Sequence, residues 1–146
     1  MATIVRKQRI DAAARQLRKP LQGRFVEILD LQCDDRKLAL IAARSRAVRR
    51  DDIHELMLTD EPGAAPGGTV DRIDYLGFVE FPEGGMLVHG DAVVIGGRRI
   101  GTIAGFDESH FPNHYNIVIR GPRRASGVDL DQYPDDPVIF EPASRT

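Results

Sequence analysis

Two adjacent glycines, Gly96 and Gly97, separate the apolar run Ala92-Val93-Val94-Ile95 from the mixed run Arg98 to Ala104. Paired glycines supply the positive φ that both central positions of a two-residue hairpin turn need, so the stretch is predicted to be an antiparallel hairpin. An isolated hairpin is not stable in water, and the rest of the chain supplies partners for it. Phe25 to Leu31, Leu38 to Ile41, Ile53 to Leu58, Val70 to Phe81, Met86 to Val88, Tyr115 to Arg120 and Val138 to Phe140 are further short runs, bounded by Gly, Pro and Asp turns. A helical turn is the alternative for Leu38 to Ile41. Gly101 and Gly105, in the return strand of the hairpin, are expected at a bulge or tight bend, as at a barrel corner. The fold class is therefore mainly β, a small β-barrel or sandwich. Ahead of it, Ile10, Ala13, Ala14 and Leu17 recur at helical spacing before Pro20. Residues 1–20 are thus expected as a short basic helix or arm, and residues 21–146 as a single β-rich domain. Asp60 to Gly68 is the one segment whose composition predicts a flexible connection.

With 146 residues, 42% of them apolar and 29% charged, the chain is sized for one real core. No apolar run is long enough to cross a bilayer. The basic residues near the N-terminus flank no apolar stretch of signal-peptide type. The lone Cys33 has no partner for an internal disulfide, and its neighbours Asp34 and Asp35 disfavour a thiolate. These features lead to the expectation of a cytoplasmic protein with no membrane partner. Charge is unevenly spread: residues 1–50 carry 13 Lys and Arg against 5 Asp and Glu, and residues 51–146 carry 7 against 17. Opposite halves attract, within one fold or across a homo-oligomer interface. The basic half holds a single aromatic residue, Phe25, so it lacks the stacking platforms of nucleic-acid binders and that class is disfavoured.

Reactive side chains concentrate in Phe106-Asp107-Glu108-Ser109-His110-Phe111-Pro112-Asn113-His114-Tyr115-Asn116. In a helix, His110 and His114 would share one face, as in helical zinc sites. Pro112 stands between them, and Pro-Asn is a turn signal, so a loop is predicted instead. A loop can still converge Asp107, His110 and His114, and imidazole with carboxylate suits a divalent metal. His54-Glu55 is a second contributor, without the second histidine of a zincin helix: Leu58 stands where it would be. Glu80 lies among Phe78, Val79 and Phe81. If its face turns inward, burial would raise its pKa and suit it to acid–base work or to a metal; if outward, it is an ordinary surface glutamate. The predicted catalytic set is His54, Glu80, His110 and His114, with Asp107, Asn113, Asn116 and Arg120 as ligand contacts. His110, His114 and Glu80 form the candidate metal set. The expected partner is a small polar metabolite, and whether the chain transforms it or only binds it stays open. Arg120, Arg123 and Arg124, around Gly121-Pro122, are either anion contacts or a solvated turn. No P-loop, dinucleotide fingerprint or Gly-x-Ser-x-Gly elbow is present.

Three blocks carry a resemblance: Asp52 to Leu56, Tyr75 to Glu80, and Gly105 to Ile117, the last with the pattern Gly-Phe-Asp-x-x-His-x-Pro-Asn-His-x-Asn. They resemble a family of small bacterial proteins to which no activity is attached. From Gly90 to Phe140 the chain is also similar, more weakly, to the glucitol/sorbitol-specific IIA component of the bacterial phosphotransferase system, a small cytoplasmic β-barrel phosphocarrier. That second resemblance implies a barrel and, as an alternative function, a phosphohistidine at His54 or His114. Asn113-His114 departs from the Gly-His pair of that family. A non-catalytic, self-associating module is the third reading.

Overall fold

The computed structural model describes residues 18–143, so the helix or arm expected over residues 1–20 lies outside the described residues except for its last three positions. Eleven strands and no helix form among those residues: β1 (Leu21–Cys33), β2 (Leu38–Ala39), β3 (Ser45–Val48), β4 (Ile53–Thr59), β5 (Thr69–Val70), β6 (Ile73–Glu80), β7 (Gly85–Val88), β8 (Ala92–Ile95), β9 (Arg98–Asp107), β10 (Asn116–Arg120) and β11 (Pro137–Glu141). Seven of them close into a barrel in the order β1-β11-β8-β9-β10-β4-β6, with β6 hydrogen-bonded back to β1. Closure removes the free edges that an open sheet would expose. All neighbouring pairs are antiparallel except β10 and β4, which run parallel.

The hairpin forms as predicted. Gly96 (φ 61°) and Gly97 (φ 73°) both take positive φ between β8 and β9. The pairing slips once beside Gly101, between Val93 and Val94, and again beside Gly105, between Val118 and Ile119. These bulges bend β9 where its glycines stand. Period-2 alternation then sorts the side chains. Leu56 and Leu58 from β4, Val79 from β6, Ile103 and Phe106 from β9, and Ile117 and Ile119 from β10 fill the interior, with Phe25 and Phe140 fully buried among them. The lumen is packed with side chains.

Outside the barrel, β2 pairs with β5, and this small sheet lays Leu38, Leu40, Ala64 and Val70 over Met57, Ala104 and Val118 as a second core. The alternative of a helical turn at Leu38 is not taken. Residues 60–68 are tied into this layer: Ala64 is buried, Ile41 accepts a hydrogen bond from Gly67 N–H, and Gly68 from Leu40 N–H. The Gly and Pro residues there make turns rather than a free linker. The other small sheet, β3 with β7, rests near β1 and β9. β3 has no counterpart among the expected strands, because Ser45-Arg46-Ala47-Val48 carries a single fully buried apolar residue, Val48.

Candidate functional site

A rung of outward-facing residues crosses five neighbouring strands. Asp107 (β9) registers with Asn116 (β10), Asn116 with Glu55 (β4), and Glu55 with Phe78 (β6), which in turn registers with Glu27 of β1. Asp107, Glu55 and Asn116 are buried, although they point away from the barrel. The segment before β3 covers this side of the sheet, anchored where Ile41 N–H donates to Phe106 O at 2.8 Å. At the open end of the rung stands His114, two residues before Asn116 and therefore on the same face, with its side chain 18% exposed.

The hydrogen bonds within the rung are incomplete. Asp107 Oδ1 accepts from Asn116 Nδ2 at 2.8 Å and from Ser109 N–H at 3.1 Å and hydroxyl at 2.5 Å. This fixes which way the Asn116 amide points and leaves its Oδ1 buried with no partner in the protein. His114 Nε2 is likewise buried and unpartnered, 3.7 Å from Glu55 Oε1, which is beyond a hydrogen bond. Burial pushes the Glu55 carboxyl up to about 7. The Arg36 guanidinium opposes that rise, and the Asp107 and Glu27 carboxylates reinforce it. Arg36 is itself held by Nε–H donating to Tyr75 Oη at 3.0 Å. The His114 imidazole is lowered by burial and by the neighbouring His110 ring, which stacks on it at 5.1 Å, against the opposing pull of the nearby Asn116 side chain and the Asp107 carboxylate. Phe78 meets His114 edge-on at 5.3 Å and walls the other side.

The loop carrying His110 and His114 is a chain of turns, with Glu108 O accepting from Phe111 N–H and His110 O from Asn113 N–H. Pro112 therefore has the effect expected of it. Arg46 of β3 anchors this loop by pairing with Glu108 and lying 5.3 Å over the Phe111 ring and 4.6 Å over the Tyr115 ring. His110 and Asn113 are exposed at its surface.

The predicted residues divide by face. His54 and Glu55 are consecutive in β4, so they point to opposite sides of the sheet. His54 enters the barrel, stacks on Tyr115 at 3.6 Å, accepts Tyr115 N–H through Nδ1 at 3.1 Å and donates through Nε2 to Asp52 at 3.2 Å. Burial lowers its pKa, against the pull of Asp52, so it is a neutral core histidine with both nitrogens committed. Glu80 takes the outward alternative and is bound by Arg24 at 2.6 and 3.0 Å. Arg120 lies at the far end of β10 and donates to Pro62 O at 3.0 Å. Among the described residues, no three His, Cys, Asp or Glu side chains are grouped to hold a metal ion. Arg36 and Phe78 are residues of this rung that sequence reasoning missed, and Glu55, singled out with His54, was left out of the predicted catalytic set. The usable signal for Glu55 was its place beside His54, since one of any such pair must share the outer face.

These features define a class: a small closed β-barrel with a packed lumen and a partly satisfied polar rung on its outer face. The chain belongs to a family of unknown function (DUF6917), whose sequence profile matches residues 15–141. No curated protein and no solved structure matches the chain. Among the described residues, no helix is long and apolar enough to cross a membrane.

Proposed function

We propose that the protein binds a small polar metabolite at the Glu55–His114 end of the outer rung and moves a proton on it. The observation that carries this reading is the meeting on one face of two buried polar atoms without a hydrogen-bond partner, His114 Nε2 and Asn116 Oδ1, with the Glu55 carboxyl 3.7 Å from the first. Buried polar atoms are almost always partnered, so a cluster of orphans marks a place where a ligand completes the bonding. Glu55, near 7, exists in both protonation states at neutral pH, and the lowered His114 is neutral there. A carboxyl and an imidazole poised in this way form an acid–base pair. Asn116 Oδ1 is an acceptor, so it selects a ligand group that donates, a hydroxyl or an amine. Asp107 acts as a positioning residue by fixing the Asn116 amide.

A thermal-shift panel of hydroxy acids, polyols and amines, run in parallel on wild type, Glu55→Gln and His114→Asn, tests the reading. At least one compound is expected to raise the wild-type Tm and to lose that effect in both variants. A compound that stabilises all three proteins equally, or no response to any compound, would sink the proposal.

A further inference from the structure

At the opposite end of β10 from the rung, about 13 Å along the strand, the chain carries a second and chemically different surface. Two adjoining clefts of about 620 and 840 Å³ share Arg99, Ile100 and Pro122 as a common wall. Arg120 and Thr102 complete the first, and Arg98 and Arg123 rim the second. Leu58, Ile95, Ala125 and Leu130 give the second an apolar lining.

The charges here are not internally balanced. Arg98, Arg99 and Arg123 enter no ion pair among the described residues, whereas nearby Arg124 is neutralised by Asp74 and Asp34 at 2.7 Å each. Of the carboxylates that reach the clefts, Asp60 is paired with Arg72 at 3.1 Å, while Asp129 and Asp131 line only the second cleft, hydrogen-bonded to Ser126 N–H at 3.0 Å and to the Tyr133 hydroxyl at 3.2 Å, and leave the arginines of the first cleft unopposed. Arg120 is positioned by one N–H on Pro62 O, which leaves its other donors for a ligand. The strands also come unusually close at this point. A Cβ at Gly101 would sit 2.2 Å from Arg120 O, and one at Gly121 would sit 2.2 Å from Ile100 O. The glycines bring Arg99 and Arg120, from neighbouring strands, to one cleft.

We propose that these joined clefts bind a phosphate monoester of a small organic molecule, with Arg99 and Arg120 on the phosphate and the apolar floor under the organic part. Guanidinium forks match phosphate oxygens, and Thr102 adds a hydroxyl donor. The apolar lining favours an ester over inorganic phosphate, and neither cleft is lined by an aromatic side chain on which the bases of a nucleic-acid strand could stack.

The test is titration of the full chain with adenosine monophosphate, followed by amide NMR at Gly101, Thr102 and Gly121. Saturable shifts confined to these residues are expected. Affinity should fall about tenfold or more in Arg99→Ala/Arg120→Ala and stay within about twofold in an Arg50→Ala control. Glu55→Gln should leave the response intact, so this surface and the outer rung are tested separately. Absence of saturation up to about 10 mM, equal losses in the Arg50 control, or equal affinity for inorganic phosphate would overturn the proposal. Displacement of the nucleotide by a single-stranded oligonucleotide at far lower concentration would overturn it in favour of a nucleic-acid surface. Matching thermal unfolding of the variants and wild type establishes that a lost response is not lost folding.

Discussion

Glu55 titrates near 7 in the fold and near 4.5 as an ordinary glutamate. Between those values the folded chain keeps a proton that the unfolded chain has released, so stability falls as pH rises through that window and the penalty is complete above it. Glu55→Gln removes the penalty. Because the site is partly open to solvent, the gain is expected to be on the order of 1–2 kcal/mol at pH 8 and near zero at pH 4.5, read from urea unfolding at the two pH values. His54 runs the opposite way. Its folded pKa lies below the ordinary 6.5, so its contribution is present above that value and is lost as pH falls beneath it. His54→Ala orphans Tyr115 N–H and empties the space beside the Tyr115 ring, and should cost about 3 kcal/mol. It should leave the Glu55 titration in place, because the two side chains lie on opposite faces of β4. A Glu55 pKa that moved by a full unit in the His54 variant would contradict that division.

At the scale of the element, β6 and the 108–114 loop each depend on one special residue. Gly77 sits in β6 at φ 149°, and a Cβ there would meet Glu27 O at 2.1 Å. Gly77→Ala therefore pushes β1 away from β6 beside Phe78 and should destabilise by about 2–4 kcal/mol, measured by denaturant unfolding. The loop holds His110 and His114 but contributes little buried apolar surface of its own, so Arg46 is its main clamp. Arg46→Ala should raise amide exchange selectively at residues 108–114, with about 1 kcal/mol lost globally. Uniformly faster exchange along the chain would show that Arg46 supports the whole barrel instead. The turn through Pro112 was legible in the sequence because proline chemistry is local. The clamp was not, since Arg46 and Glu108 lie 62 positions apart and meet only because the β3–β7 sheet rests near β9.

For the whole molecule, the closed sheet has a polar group near each end of β4. His54 with Asp52 sits at its start, and Asp74, registered with Leu58, ties Gln32 and Arg124 near its end. Asp74→Ala leaves the Arg124 guanidinium with Asp34 alone, and about 3 kcal/mol of destabilisation is expected. The two ends are more than about 10 Å apart, so the double variant His54→Ala/Asp74→Ala should lose the sum of the single effects within about 0.5 kcal/mol. A marked departure from additivity, measured by the same unfolding curves, would mean that the packed interior couples the ends.

The hairpin at Gly96-Gly97 was determined by sequence alone, as were most barrel strands, the bends at Gly101 and Gly105, and the loop through Pro112. Each rests on φ preferences or on a period of two that acts over a few neighbouring residues. That Glu55 lies on the outer rung while His54 is a core residue was decided only by tertiary structure. Alternation says that His54 and Glu55 face opposite ways but not which way is in. That sign is set when β4 pairs parallel with β10 and antiparallel with β6, turning Glu55 toward Asn116 and His54 into the core. The pairing of Glu80 with Arg24 has the same origin, since those residues lie 56 positions apart in the chain and meet only because β6 closes on β1.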